Sequence, residues 1–384
     1  MMKIAAFFGK RHQENVEPKL LGRGKPKTTT ATTQSRSAFA DVTNKAPEAS
    51  NIANDKKPLK EAKVEAIEEK KFTLPPLPPM KPVEQPVFEL PVERKDLPLG
   101  VEDIDAPDEE NPAFCSEYVM DVITSLREKE VAERIPPNYM AGLQHSVTPR
   151  MRNILADWMI EVINRFEMCN ETTFLAINIL DKYLARVEVQ QRDLQLIGVA
   201  AILTASKIED IYAVALDDLV AITGNAVAAE DVVAQERKIL TAIDWCLTSP
   251  YSIHFLRRYS KAADSDGFVH TVSKFLLELA ALQYGMLEYL PSMQAAAAVY
   301  LARRMCGEAE LWSKTTEYYS GYSLEDIMPC VRALNALVLT PSRRLRSVHT
   351  KYASRKYGEV SKLPGIKALA QSEEDEEEGS GEKH

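Results

Sequence analysis

An all-helical architecture built from two similar halves is predicted by three observations. The first is Leu194–Asp210, LQLIGVAAILTASKIED, whose apolar positions run round the whole helical circumference until the last turn. It reads as a helix with no water-facing side. Its small residues, Gly198, Ala200, Ala201, Ala205 and Ser206, let other helices approach closely and make it the central rod of a bundle. The second is a succession of amphipathic segments with short breaks from Phe114 onward, with no strand-rich stretch among them. The third is a pattern used twice. Leu290–Cys306, LPSMQAAAAVYLARRMC, mirrors the rod, and Glu325–Asp326–Ile327 follows Glu230–Asp231–Val232 by 95 positions, each opening a final helix after a Ser-Gly or Thr-Gly break.

Residues 1–112 are predicted to be a disordered regulatory region, because Thr, Ser, Lys and Pro are dense there and periodic apolar segments are scarce. Such a stretch cannot bury enough surface to offset its ordering entropy. MKIAAFFGK near the start is too brief for a signal-peptide core and no small-residue cleavage site follows, so no secretory route is indicated. Within 36–44, RSAFADVTN sets Arg36, Phe39, Val42 and Asn44 at spacings that an extended peptide can present to a receptor groove. Lys45, Lys56, Lys57, Lys60 and Lys63 follow it. FTLPPLPPMKPVEQPVFELPVERKDLP, from Phe72 to Pro98, reads as a stiff spacer, or as a PxxP ligand, since proline at this density blocks helix interiors and sheet ladders alike.

An outlying helix, Phe114–Glu130, lines one side with Tyr118, Val122, Ile123 and Leu126, and IPPNYM then breaks it, so that 113–147 is helix plus linker. The first set of helices spans 148–248 and comprises Pro149–Phe166, Glu171–Arg186, Gln191–Glu209, Leu216–Ile222 and Ala229–Trp245. The second spans 249–340 and comprises Tyr251–Lys261, Gly267–Tyr284, Pro291–Cys306, Trp312–Tyr319 and Leu324–Leu339. A C-terminal extension, 341–370, and an acidic disordered tail, 371–384, complete the chain. Thr148–Pro149, Ser249–Pro250 and Thr340–Pro341 each read as an N-cap hydroxyl before proline at the first helical position. The same pairs fit phosphosites, and Thr340–Arg343, TPSR, carries a downstream basic residue as well.

Composition narrows the function classes. The net charge of −9 argues against a general nucleic-acid binder, although the first 36 residues are basic and Glu373–Glu378 is acidic. Cys115, Cys169, Cys246, Cys306 and Cys330 are odd in number, far apart and never spaced as CxxC, which reads as reduced thiols in a cytosolic or nuclear protein. No apolar stretch has the length of a membrane span. No His/Asp/Ser constellation, phosphate-cradling Gly loop or metal-spaced Cys/His set is present, so neither catalysis, cofactor nor metal is expected.

The informative chemistry is a set of charges placed where the helical period calls for apolar groups. Arg152 falls between Met159 and Ile163 on the arc of its helix, and Asp181 falls between Phe174 and Ile177 on the next. An isolated buried charge costs several kcal/mol, roughly, whereas an Arg–carboxylate pair satisfies both groups, so the two are predicted to meet between these helices. Lys207, among Leu196, Ala200 and Leu203, and Glu236, among Val232, Leu240 and Ile243, break the pattern in the same way. Two readings stand for them: a snorkelling lysine paired with the glutamate inside the bundle, or two surface ions beside apolar residues that engage a partner. Met151, Ile154, Leu155 and Trp158 widen the apolar face of their helix beyond what one packing contact needs. They mark either a docking site or a helix buried on two sides.

MRNILADWMIEV at 151–162, followed by LQLIGVAAILTASKIED and a Glu in the last helix of the set, resembles the cyclin box, over about 114–364. With RSAFADVTN, which resembles a destruction box carrying Phe39 where Leu is common, and YLPS at Tyr289–Ser292, the chain is similar to mitotic cyclins of the B type, with Phe39 and Glu161 leaning toward the third B subtype. Thr204 in place of a usual Leu and Ala156 in place of a Val depart from the pattern without removing a contact residue. The resemblance implies two tandem five-helix cyclin boxes behind an N-terminal helix. It also implies a non-catalytic subunit that activates a mitotic cyclin-dependent kinase as a heterodimer. By the same resemblance Lys207, Glu236, Ile208, Trp245 and Val122 meet the kinase, Met151, Ile154, Leu155, Trp158, Glu161, Leu194 and Gln195 form a docking patch for RxL-type substrates or inhibitors, and Arg152 and Asp181 form a buried pair. Arg36, Phe39 and Asn44 would be read by the anaphase-promoting complex ubiquitin ligase, ending in destruction during mitosis. A nuclear location is favoured over a cytoplasmic one. The rival from another class is a two-repeat cyclin-like transcription-factor module, which calls for a zinc ribbon and a basic DNA-facing surface that this sequence lacks.

Overall fold

A computed structural model describes residues 97–369, and every regular element among them is helical. The described residues fall within one compact unit. The destruction-box-like segment with Arg36, Phe39 and Asn44, nearly all of the Pro-rich spacer, and the acidic tail lie outside the described residues. A 3-10 turn, Ser116–Tyr118, leads into α1, Val119–Ala132, and a one-turn helix α2, Tyr139–Leu143, follows. The first five-helix set is α3 Pro149–Arg165, α4 Asn170–Leu184, α5 Leu194–Glu209, α6 Leu216–Ile222 and α7 Ala229–Ala242. The second is α8 Ser252–Ala262, α9 Gly267–Leu282, α10 Pro291–Cys306, α11 Lys314–Ser320 and α12 Leu324–Leu339, with α13 Ser347–Tyr352 beyond it. No helix among the described residues is long and apolar enough to cross a membrane.

The two rods occupy the places their composition predicts. Ile197 through Ser206 of α5 are all buried, and α5 packs against α4, α7 and α3. Gly198 permits the last contact, since a Cβ there would stand 2.9 Å from Leu155 Cδ1 and 3.5 Å from Met159 Cγ. Ala295–Ala298 of α10 are likewise fully buried, and α8, α9 and α12 surround it.

Arg152 and Asp181 meet at the centre. Both are 1% exposed. Arg152 Nε and Nη2 donate to Asp181 Oδ1 and Oδ2 at 2.9 and 2.6 Å, and the Tyr139 hydroxyl of α2 donates to Oδ1 at 2.9 Å. Nη1 donates to the carbonyls of Ala281 and Leu282 at 2.8 and 2.9 Å, which are among the unsatisfied acceptors at the end of α9. The guanidinium and the carboxylate it holds therefore tie α2, α3 and α4 to the end of α9 in the second half.

Several expectations are corrected. Ordered chain begins before Pro112: Asp105 is buried with its carboxylate on Arg258, 2.6 Å from Nη2, and on Lys261 at 3.0 Å, while Glu102 N–H donates to the Thr315 hydroxyl at 3.1 Å. The arginine and lysine on α8 supply what the Pro- and Asp-rich strap lacks. The outlying helix starts at Val119 rather than Phe114, behind Cys115 at φ 43°. The segment read as a break contains α2, held by the Tyr139 contact and by the Tyr284 hydroxyl 3.1 Å from Met140 N–H. Of the three hydroxyl–proline pairs only Thr148 caps a helix, accepting from Met151 N–H at 3.3 Å. Ser249 is buried and bonded to Lys182 and Glu133, and Thr340 ends α12. The extension carries α13, whose Ser347 N–H and hydroxyl donate to Asp157 of α3 at 3.0 and 2.6 Å, and whose Lys351 reaches Glu278 of α9 at 2.7 Å.

Replacing Asp181 by alanine leaves a buried guanidinium without its counter-ion and is expected to cost about 3–5 kcal/mol in chemical denaturation. Burial, with Arg257 alongside, pushes His254 down from 6.5 to about 4, although Glu171 acts the other way. Between those values the unfolded chain binds a proton that the folded chain refuses. The contribution of His254 is therefore complete above pH 6.5 and is lost as pH falls toward 4. A His254→Asn variant should show a flatter stability profile in this window by thermal unfolding.

Candidate functional site

Lys207 closes the last turn of α5 and Glu236 sits in the middle of α7, two helices that pack side by side. The Lys207 ammonium donates to both Glu236 oxygens, at 2.7 and 2.8 Å. The Thr204 hydroxyl, which donates to Ala200 O at 2.9 Å, stands 3.3 Å from Glu236 Oε1. The pair is neither sealed nor loose: the lysine side chain is 47% exposed and the glutamate 12%. Lys207 thus snorkels to the water boundary while Glu236 lies largely inside the bundle, the geometry of the first of the two earlier readings.

The surroundings are apolar. Ile208 is exposed beside Lys207, Val233 is exposed one turn before Glu236, and Ile211 and Tyr212 stand almost free of cover just past α5. Trp245 is 66% exposed because the predicted helix Ala229–Trp245 stops at Ala242, and Asp244 and Trp245 then adopt φ of 52° and 57°. Left-handed backbone at two consecutive residues with side chains is a strained turn. Here it coincides with a tryptophan carried outward. Glu209, two positions from Lys207, is turned inward to the Tyr251 hydroxyl, and its burial raises the carboxyl pKa above the ordinary value. Val122 lies part-buried on α1, one turn from exposed Tyr118. Ile211, Tyr212 and Val233 were not singled out from sequence. The available signal was two large apolar residues placed directly after a helix end.

A second surface lies on α3 and the start of α5. Ile154 (43%) and Glu161 are exposed, Met151, Trp158 and Gln195 are part-buried, and Leu155 and Leu194 are buried at 7%. Leu155 is therefore not part of an open face. It sinks into the space that Gly198 leaves. Among the described residues no group of His, Cys, Asp and Glu is gathered as a metal ion requires.

Residues 121–248 match the cyclin N-terminal domain and residues 250–365 the cyclin C-terminal domain. A G2/mitotic-specific cyclin-B of Hydra viridissima is 40% identical over 270 residues, covering 70% of this chain and 68% of the relative. The chain belongs to the cyclin family. A G2/mitotic-specific cyclin-B2 of Anguilla japonica is also 40% identical, over 276 residues that cover 71% of this cyclin and 69% of the relative. Among solved structures, a viral cyclin from herpesvirus saimiri superposes with a TM-score of 0.50 at 22% identity, over 56% of this chain and 94% of that one, and shares the fold. Cyclins are regulatory kinase subunits without catalysis of their own, and this cyclin has that role. Because Lys207 stands half in water while Glu236 is largely buried, Glu236→Ala should change stability by no more than about 1 kcal/mol in urea unfolding, whereas Lys207→Ala, which leaves that carboxylate with the Thr204 hydroxyl alone, should cost about 1–3 kcal/mol.

Proposed function

We propose that this cyclin binds and activates a mitotic cyclin-dependent kinase through the surface centred on Lys207 and Glu236. The observation that carries the reading is an ion pair at the water boundary on two helices that expose apolar residues nearby in the chain. These are Ile208, Ile211 and Tyr212 at and just past the end of α5 and Val233 and Trp245 on and just past α7. A partner helix laid on this surface would exclude water from these apolar side chains and exchange hydrogen bonds with the two ions, the arrangement expected of a hot spot inside a dry rim. The partner segment is the regulatory helix of the kinase. Binding only its active placement shifts the kinase population and completes the kinase's own Lys–Glu ion pair. Val122 on α1 extends the interface.

The face with Met151, Ile154, Trp158, Glu161 and Gln195, floored by Leu155 and Leu194, receives RxL-type substrates or inhibitors. The apolar side chains would take the leucine and Glu161 the arginine. Arg36, Phe39 and Asn44 act as a degron for the anaphase-promoting complex, and the front-end lysines accept ubiquitin. Within the B type the third subtype is the assignment we favour, on Phe39 and Glu161, with activity in the nucleus.

The test is a pull-down of the full chain assayed for histone-type kinase activity. Lys207→Ala and Glu236→Ala should each weaken kinase binding by about 2 kcal/mol or more, roughly 30-fold, while remaining folded. A variant that activates the kinase at the parent's concentration would overturn the assignment.

A further inference from the structure

We propose that Thr340 is a phosphoacceptor for a proline-directed kinase, and that its phosphate is held by Arg150 and Arg344 in the adjoining cleft. The structure separates Thr340 from the other two hydroxyl–proline pairs. Thr148 is occupied as an N-cap and Ser249 is buried in a bonded network, but Thr340 is exposed and caps no following helix, because α13 starts only at Ser347. Residues 341–344 are all exposed and belong to no helix. A kinase can therefore draw the segment into its groove without unpacking the core. Pro341 offers no N–H, so a groove built for proline at that position leaves no donor unsatisfied. Arg343, three residues on, supplies a guanidinium to an acidic site on the enzyme.

In the transfer, the Thr340 hydroxyl oxygen forms a bond to the γ-phosphorus of MgATP as the bond to the β,γ-bridging oxygen breaks. ADP leaves, and the hydroxyl proton passes to the kinase's base and then to solvent. The product has about −1.5 to −2 charge at the C-terminal end of the 16-residue α12, where the helix dipole is also negative. The hydroxyl that now donates to Ala336 O at 2.7 Å loses its proton to the ester and can no longer do so. Both effects drive the phosphate off the helix end.

A receptor for it lies within reach. A cleft of about 500 Å³ is lined by Arg150, Asn153, Ile154, Gln283, Ser342 and Arg344. Ser342 is two residues from Thr340, a span of about 7 Å at most. Neither Arg150 nor Arg344 has a carboxylate partner among the described residues, so two guanidinium groups flank the space without a counter-ion. A phosphate there would tie the 340–345 segment to α3 beside exposed Ile154, on the edge of the proposed docking face.

The full chain is incubated with MgATP and a pre-activated proline-directed kinase other than its own partner, and phosphate is located by mass spectrometry. Phosphate on residue 340, absent in Thr340→Ala, is the expected result. Its absence, when the same kinase labels a control Thr-Pro peptide, overturns the proposal. The midpoint of thermal unfolding should rise by about 2–4 °C on phosphorylation of the parent and stay unchanged in an Arg150→Ala/Arg344→Ala variant. An equal rise in both overturns the receptor assignment. Activation of the chain's own partner is read separately on an unrelated peptide, so failure of the kinase-activator reading leaves the result at residue 340 decided on its own.

Discussion

The guanidinium of Arg152 is the constraint on which the rest of the molecule is arranged. A fully buried cation is tolerable only if its donors are matched, and here they are shared between the Asp181 carboxylate and two carbonyls at the end of α9. Those carbonyls need partners too, because the helix stops there. The two halves of the chain thus each cover a deficit in the other, and α3 can lie against α9 in only one register that serves both. Apolar packing alone would tolerate neighbouring registers at small cost. A buried ion with directional partners does not.

The same device recurs at the edges. Asp105 of the N-terminal strap reaches Arg258 and Lys261 on α8; Lys182 of α4 meets Glu133 and the Cys246 carbonyl in the linker between the halves; Lys351 of α13 meets Glu278 of α9. Segments too short or too polar to hold themselves are fastened by charges placed on the long helices. The outcome is a rigid frame in which Lys207 and Glu236 stand on neighbouring rods, already paired and already set among apolar side chains. A partner that docks on such a surface has little ordering entropy to supply, which is how a regulatory subunit can turn binding energy into order in the kinase.

Much of the fold was legible in the chain, and for identifiable reasons. Leu216–Ile222, Pro291–Cys306 and Leu324–Leu339 begin and end where their periodicity does, because each is bounded by turn residues and has one clear apolar face or none that is polar. The helix at α2 was not legible, since IPPNYM has too few residues to show a period, and Tyr139 and Met140 are held by contacts with distant Asp181 and Tyr284. The strap around Asp105 escaped for the same reason. At the site, Lys207 and Glu236 stood out as ions on apolar arcs, whereas the turn that exposes Trp245 left no mark, because Asp244 tolerates left-handed backbone without requiring it and the bulky Trp245 disfavours it.

By itself the sequence determined where most of the long helices lie, that they come in two similar sets, and which charges on those helices sit out of place. These are local properties, set by a repeat of 3.6 residues and by caps within one turn. Only the tertiary structure decided what the pattern left open: that Arg152 also serves the carbonyls of the second half, that Asp105 reaches α8, and that Lys207 stays half in water beside a largely buried Glu236. Successive helices let one such pair be foreseen, but ions and carbonyls more than a hundred residues apart meet according to how whole helices pack, which the helical repeat does not carry.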